Sequence, residues 1–274
     1  MEQPIPFEDY CRIKAVNWSS LKHLWLGSPL HYKHAIESGD SGDTTGRQLA
    51  REVHRLVLEP DSKADYVIWD GGDRRGAAWK AFEAANPGVQ IFKPNEVASV
   101  YAQAAAVRAH PVARALLEGA EFEKTLEWKD RKTGLNCKGR VDAWNPGKST
   151  LIDLKGCGSI TPRLFARDCA KMGYHLQLSH YSNGIEATTG LPPARRVIIA
   201  VEVKAPHDVG VFLIGNEPME QAQAELSYAM ETLAKCIRDN HWPGTCPEET
   251  DLAFPAYIYG DGGEAIISGG HHGQ

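Results

Sequence analysis

Apolar residues keep a helical interval over roughly the first 117 residues and alternate after that, which divides the chain in two. In "AVNWSSLKHLWLGSPLHYKHAI", Leu21, Leu24 and Trp25 recur three and four apart, and Asn17 or Ser19 is placed to cap the helix they define. "GSP" breaks that helix before a second helical turn, and "GDSGDTTG" reads as a loop. The next helix is "TGRQLAREVHRLVLEP", with Leu49, Val53 and Leu56 on one face and Pro60 ending it. A loop carrying "WDGGDRRGAAWKAF" follows. The alanine-rich "NEVASVYAQAAAVRAHPVARALLEGA" is again helical in period, kinked or split at Pro111.

The alternating part predicts strands. "FEKTLEWKD", "LNCKGRVDAW" and "TLIDLKGC" are joined by the short turns "RKTG" and "NPGKS", which implies an antiparallel meander. "TPRLFARDCAKMGYHLQLSHYSNGIEATTG" is helical at its centre, "ARRVIIAVEVKAP" and "DVGVFLIG" are two more strands, and "EPMEQAQAELSYAMETLAKCIRDNH" is a long final helix ending at "WPG". The expected fold is α+β, or mixed α/β, with one central, mostly antiparallel or mixed sheet flanked by helices.

Composition narrows the class. With 42% hydrophobic and 24% charged residues in 274, the chain is ordinary for a globular protein of one large domain or two small ones. No apolar run approaches the ~18 residues of a membrane span. The opening "MEQPIPFEDYCRIKAV" lacks the apolar centre of a secretory signal, so a cytoplasmic location and no membrane partner are expected. The six cysteines fall without any C-x-x-C pair, which argues against disulfides, a cysteine zinc site and an iron–sulfur cluster. A net charge of −5 rules out a basic nucleic-acid coat, although a nuclease can be acidic overall if its cations line one groove.

Candidate chemistry centres on "LIDLKGC". Asp153 and Lys155 share strand parity, so both face one side where the apolar neighbours indicate core. Opposite charges placed there are costly unless they are paired or hold a metal. They form either an ion pair at a strand end or half of an active site. Asp142, near the end of the preceding strand, would converge on them across a short turn. Two carboxylates make a site for a hard divalent cation, with the Lys155 ammonium placed to position a water beside it.

"GRVDAW" and "LIDLKG" resemble the two metal-binding stretches of the PD-(D/E)XK nuclease superfamily. "YHLQLSHY" carries the Q-x-x-x-Y of its RecB-like branch at Gln177 and Tyr181. Upstream, "TGRQLAREVHRLVLEP" and "VNWSSLKHLWLGSPLHYKH" are similar to segments of the RecE-type exonucleases (exonuclease VIII), and "DRRGAAWKAF", "RAHPVARALL" and "WPG" also fit. The resemblance runs from about residue 9 to 245, with motifs in family order. It implies a single nuclease domain over residues 1–245, followed by a tail, 246–274, loosely ordered at its end.

By that resemblance His54, Asp142 and Asp153 would ligate the metal, together with the Leu154 carbonyl. Lys155 would orient or activate the attacking water, and Gln177 and Tyr181 would contact DNA or fix the lysine. Glu59 is expected to act at a helix end, and Glu127 is a weaker candidate for supporting the ligands. Arg74, Arg75, Lys80, Arg163 and Lys204 are candidates for phosphate contact, while Trp69, Trp79 and Tyr174 are expected mostly in the core. The implied reaction is Mg²⁺-dependent hydrolysis of double-stranded DNA from its ends, with Mn²⁺ able to substitute. Digestion from 5′ to 3′ would leave 3′ single strands for an annealing protein of the RecT type. A homo-oligomer, possibly a tetramer, and a phage or prophage origin come with the resemblance. Its rivals are a structure-specific or RecB-like endonuclease or repair nuclease and a catalytically silent DNA-binding scaffold.

Overall fold

The structure is a computed structural model that describes residues 5–39 and 44–254. The expected "GDSGDTTG" loop and most of the 246–274 tail lie largely outside those residues. In chain order the elements are α1 (Phe7–Arg12), α2 (Trp18–Leu26), α3 (Pro29–Ser38), α4 (Thr45–Leu58), β1 (Tyr66–Ile68), α5 (Gly76–Ala85), β2 (Gln90–Phe92), α6 (Pro94–Ala109), α7 (Pro111–Leu117), β3 (Glu121–Lys129), β4 (Asn136–Asn145), β5 (Thr150–Cys157), α8 (Pro162–Met172), α9 (Tyr174–Thr189), β6 (Arg195–Glu202), β7 (Val209–Leu213) and α10 (Asn216–Asp239). The expected mixed fold is present as a five-stranded sheet in the order β3-β4-β5-β6-β7. β3 to β5 form the antiparallel meander, the α8–α9 crossover brings β6 parallel to β5, and β7 returns antiparallel.

Local signals account for most boundaries. Asn17 caps α2 through a reciprocal pair with Ser20, and Pro111 opens α7 because a helix cannot run through a residue lacking an N–H. Strand register between β3 and β4 is set by their turn, where the Asp130 carboxylate accepts from Thr133 N at 2.8 Å and Gly134 takes φ +72°. β1, α5 and β2 form a small parallel excursion that the sequence pattern did not predict. Its three-residue strands are too short to show an alternation. Trp69 is buried at its centre, 5.6 Å from the Trp79 ring.

Alternate residues of β6 enter opposite cores. Val197, Ile199 and Val201 pack with α4, α6 and α7, while Ile198 and Ala200 pack with Phe165 of α8 and Leu178 and Ile185 of α9. α2, α3 and α10 cover a third cluster that includes Leu176 of α9.

The break between α8 and α9 depends on one glycine. Gly173 has φ +68°, and a Cβ there would lie 2.8 Å from the rings of both Trp18 and Trp25. Gly173→Ala combines the left-handed backbone cost with a clash against two indoles, the buried Trp18 and the half-buried Trp25. We expect a loss of about 2 kcal/mol and a melting temperature lower by roughly 4–8 °C. An unchanged melt would refute this account of the break.

Candidate active site

Side-chain alternation inverts at one place in the sheet. Phe122 and Ala143 pack with the α4 side, whereas Leu126 and Val141 pack beneath α9, although strict alternation would put each strand's two residues on one face. The inversion falls at Glu123, which has φ +50° inside a strand and lies opposite Asp142 in the register set by the flanking pairs. A non-glycine residue holds that backbone only when its surroundings impose it. One pair further along, β4 and β5 part: the last ladder pair is Ala143–Ile152, and Asp142 and Asp153 are the first residues beyond it. Leu154 N turns from the ladder and donates to Asp142 Oδ2 at 2.7 Å. Glu123 and Asp142 therefore arrive at the same place, with Asp153 of the next strand close enough to feel the Asp142 charge.

α4 supplies the fourth group. His54 Nδ1 lies 3.7 Å from Asp142 Oδ2, and ligand atoms of His54, Glu123 and Asp142 all fall within 4.8 Å of one another. α4 is held there by Val53, Leu56 and Val57 in the core. Asp153 is nearly sealed, with 1% of its side chain exposed, and Lys155 Nζ sits 2.7 Å from its Oδ2. That contact is an ion pair by distance, yet neither Asp153 oxygen accepts a directed hydrogen bond. We weigh the ion pair more heavily, because the charges are close enough to dominate whatever the angle. The Lys155 ammonium also lies 5.0 Å from the centre of the Tyr174 ring.

The charges at this point are under strain. Burial raises the pKa of Asp142, against the pull of Lys155 and the Leu154 N–H. Burial pushes Asp153 up to about 6, partly offset by Lys155, with Asp142 pushing further upward. Glu123 is raised by burial and by Asp142, against the pull of its hydrogen bond to Arg140. His54 is lowered by burial and then by the Lys155 charge. Burial would lower Lys155, but Asp153 and Asp142 outweigh it and the ammonium is retained. A buried carboxylate whose one charged partner is Lys155, beside an imidazole and two further carboxylates, suits a divalent cation. The residues present fit one.

The other expected residues divide. Gln177 Nε2 donates to Tyr181 Oη at 3.1 Å, and the Tyr181 ring packs on Gly139, where a Cβ would come within 3.0 Å. Burial, then Asp142 and Asp153, push the Tyr181 hydroxyl well above its usual range, so it stays protonated. The Leu154 backbone is at the site: its N–H serves Asp142, and it also has a hydrogen bond to His54. Glu59 closes the end of α4 through its backbone, as expected of a helix-end residue. Glu127 is exposed and pairs in register with Lys138, so the supporting carboxylate on β3 is Glu123 instead. The signal for Glu123 was present in "RKTG": a four-residue turn fixes the register that puts it opposite Asp142.

Among the cations proposed for phosphate contact, Lys80, Arg163 and Lys204 are exposed. Arg75 is exposed and pairs with Asp73 at 2.7 Å. Arg74 is engaged internally, with Nη2 at 2.6 Å from Glu96 and 2.8 Å from Ile91 O, and braces the β1–β2 excursion. Its planar fork matches that carboxylate and leaves little for a phosphate.

Residues 19–252 match the family DUF3799, described as a PDDEXK-like domain of unknown function. The chain belongs to this family. The match bears out the superfamily resemblance carried by "GRVDAW" and "LIDLKG", and the fold is that of a PD-(D/E)XK nuclease. No curated protein matches the PDDEXK-like chain. Among solved structures, a protein from Eubacterium rectale described as a "Putative exonuclease" is similar in fold, with a TM-score of 0.65 and 13% identity over 93% of this chain and 96% of that one. A phage related exonuclease from Haemophilus somnus 129PT is 16% identical over 85% of this chain and 100% of its own, but its TM-score of 0.38 adds no weight. Among the described residues, no helix of the PDDEXK-like chain is long and apolar enough to cross a membrane.

The charge strain makes a testable statement about stability. A carboxyl whose pKa is raised by folding takes up protons on folding, so stability falls as pH rises through its titration. Asp142→Asn removes one of three converging carboxylates while keeping an acceptor for Leu154 N. In EDTA at pH 8 the variant should melt about 2–4 °C above the wild type, with the gain shrinking as pH falls toward 5. A lower melting temperature at pH 8 would mean that the carboxylates are not in conflict.

Proposed function

We propose that this protein is a Mg²⁺-dependent exodeoxyribonuclease that resects double-stranded DNA ends, working 5′→3′ and leaving 3′ single strands. The observation that carries the reading is the convergence of His54, Glu123 and Asp142 beside the buried Asp153–Lys155 pair, where β4 and β5 part. The exonuclease description of the Eubacterium rectale protein points the same way.

In this reading His54, Glu123, Asp142 and Asp153 would hold the divalent cation, with the Leu154 backbone beside them. A cation bound there would neutralise charge on the scissile phosphate and acidify the attacking water. Lys155, kept charged by its carboxylate neighbours, acts as a donor: it orients the water or a phosphate oxygen through Nζ, and it does not accept the proton. The hydrogen-bonded Gln177–Tyr181 pair lies near Asp142 and Asp153 and would help to position the DNA strand. Exposed Lys80, Arg163 and Lys204 would meet more distant phosphates, each adding a salt-sensitive increment. The same reading includes assembly into a homo-oligomer, possibly a tetramer, and delivery of the 3′ strand to an annealing protein.

The test is digestion of linear duplex labelled at either 5′ or 3′ ends, beside closed circles, with Mg²⁺ or with EDTA. Early loss of the 5′ label, dependence on Mg²⁺ and survival of circles are expected, with Lys155→Ala slower by about 10²–10³-fold. Cut circles would make the protein an endonuclease, and early loss of the 3′ label would reverse the polarity. No cleavage with Mg²⁺ or Mn²⁺ would remove the enzymatic reading.

A further inference from the structure

Two buried or nearly buried cations of β4, Lys138 and Arg140, face the N-terminal segment. α1 buries none of its own residues, so its attachment must come from elsewhere. Lys138 provides it: Nζ donates to Tyr10 O and Ile13 O, each at 2.8 Å, and lies 4.4 Å from the Tyr10 ring centre. Arg140 adds one bond, from Nη1 to Ile5 O at 2.8 Å, with the Phe7 ring 5.8 Å away. Its Nε points elsewhere, to Glu123 Oε2 at 2.6 Å, and the two side chains are only 13% and 17% exposed.

We propose that Arg140 is a positioning residue for the metal centre: braced against the N-terminal segment, it fixes the Glu123 carboxylate where a divalent cation must meet it. The proposal rests on the reading of His54, Glu123 and Asp142 as metal ligands. Glu123 occupies a left-handed backbone position, so its side chain does not inherit a direction from the strand and needs an outside partner. The guanidinium takes one oxygen, Oε2, and leaves Oε1 for a cation. Two anchors keep that guanidinium in one place: the peptide oxygen of Ile5 and the aromatic edge of α1. A carboxylate already immobilised loses less freedom on binding than one that must be ordered at that moment. The opposing effect is repulsion between the guanidinium and the incoming cation. It is blunted because the guanidinium is already neutralised by Oε2, and outer partners of metal ligands commonly contribute 10–100-fold in affinity.

The measurement is Mn²⁺ binding to the full chain without DNA, read from the electron paramagnetic resonance signal of free Mn²⁺. Arg140→Gln should bind 10–100-fold more weakly than the wild type. Arg140→Lys, which keeps a charge that can reach Glu123 but loses the second anchor on Ile5, should bind about 3–10-fold more weakly. On a Glu123→Gln background, Arg140→Gln should change binding by less than about twofold, because its partner is already gone. Wild-type affinity in folded Arg140→Gln, or a full additive loss in the double variant, would overturn the proposal while the metal reading stands. If Arg140→Gln does not fold, wild-type affinity in Arg140→Lys overturns it equally. A wild type that binds no Mn²⁺, or Asp142→Asn that binds it as the wild type does, would overturn the metal reading and this proposal together.

Discussion

β4 and β5 stop sharing hydrogen bonds at Ala143 and Ile152, and the amide of Leu154, released from the ladder, must find another acceptor. It finds the Asp142 carboxylate. That exchange of a backbone partner for a side chain opens a wedge between two central strands, and everything charged in the centre of the molecule depends on the opening. On one side of it stand Glu123, Asp142 and His54; on the other stand Asp153, Lys155 and Tyr174. A sheet that stayed paired would have closed over Asp142 and left it buried with no room for a ligand.

The wedge is held open against its own electrostatics. Three carboxylates from adjacent strands meet with one ammonium within reach, and burial weakens the screening between them. Rigid surroundings make this tolerable. Ile152 and Leu154 sit among α4, α6 and α7, while Leu151 and Cys157 of the same strand sit beneath α8 and α9. β5 is thus packed on both faces along its length, and the hydrophobic layers on either side supply the stability that the converging charges remove.

Much of this was legible in the sequence, because the strands that carry Asp142, Asp153 and Lys155 are rich in apolar residues and bounded by the short turns "RKTG" and "NPGKS". The helices were legible for the same reason, as at Pro111 and in the α4 face of Val53 and Leu56. Glu123 was missed because pairing register is a property of two strands at once, and the alternation within "FEKTLEWKD" favours neither of its inner glutamates until the turn length is counted. The β1–β2 excursion was missed because three-residue strands have no period to detect. Arg74 was misjudged because a lone cation in a loop says nothing about the glutamate it will meet 22 residues later. The parallel step to β6 is invisible locally: only the length of the α8–α9 crossover permits it.

α8 is attached to the sheet more lightly than α9, the helix that follows it. Of its eleven residues only Phe165 is buried, and Gly173 separates its hydrogen-bonded turns from those of α9. Phe165, with Cys169 half-buried beside it, fastens this helix, and few buried contacts favour opening ahead of the core. Its amides are expected to exchange before those of α9, which buries seven of its sixteen residues. Cys169 places this lightly held helix next to the Asp153–Lys155 pair, so the site has one wall that can yield while the sheet behind it stays rigid.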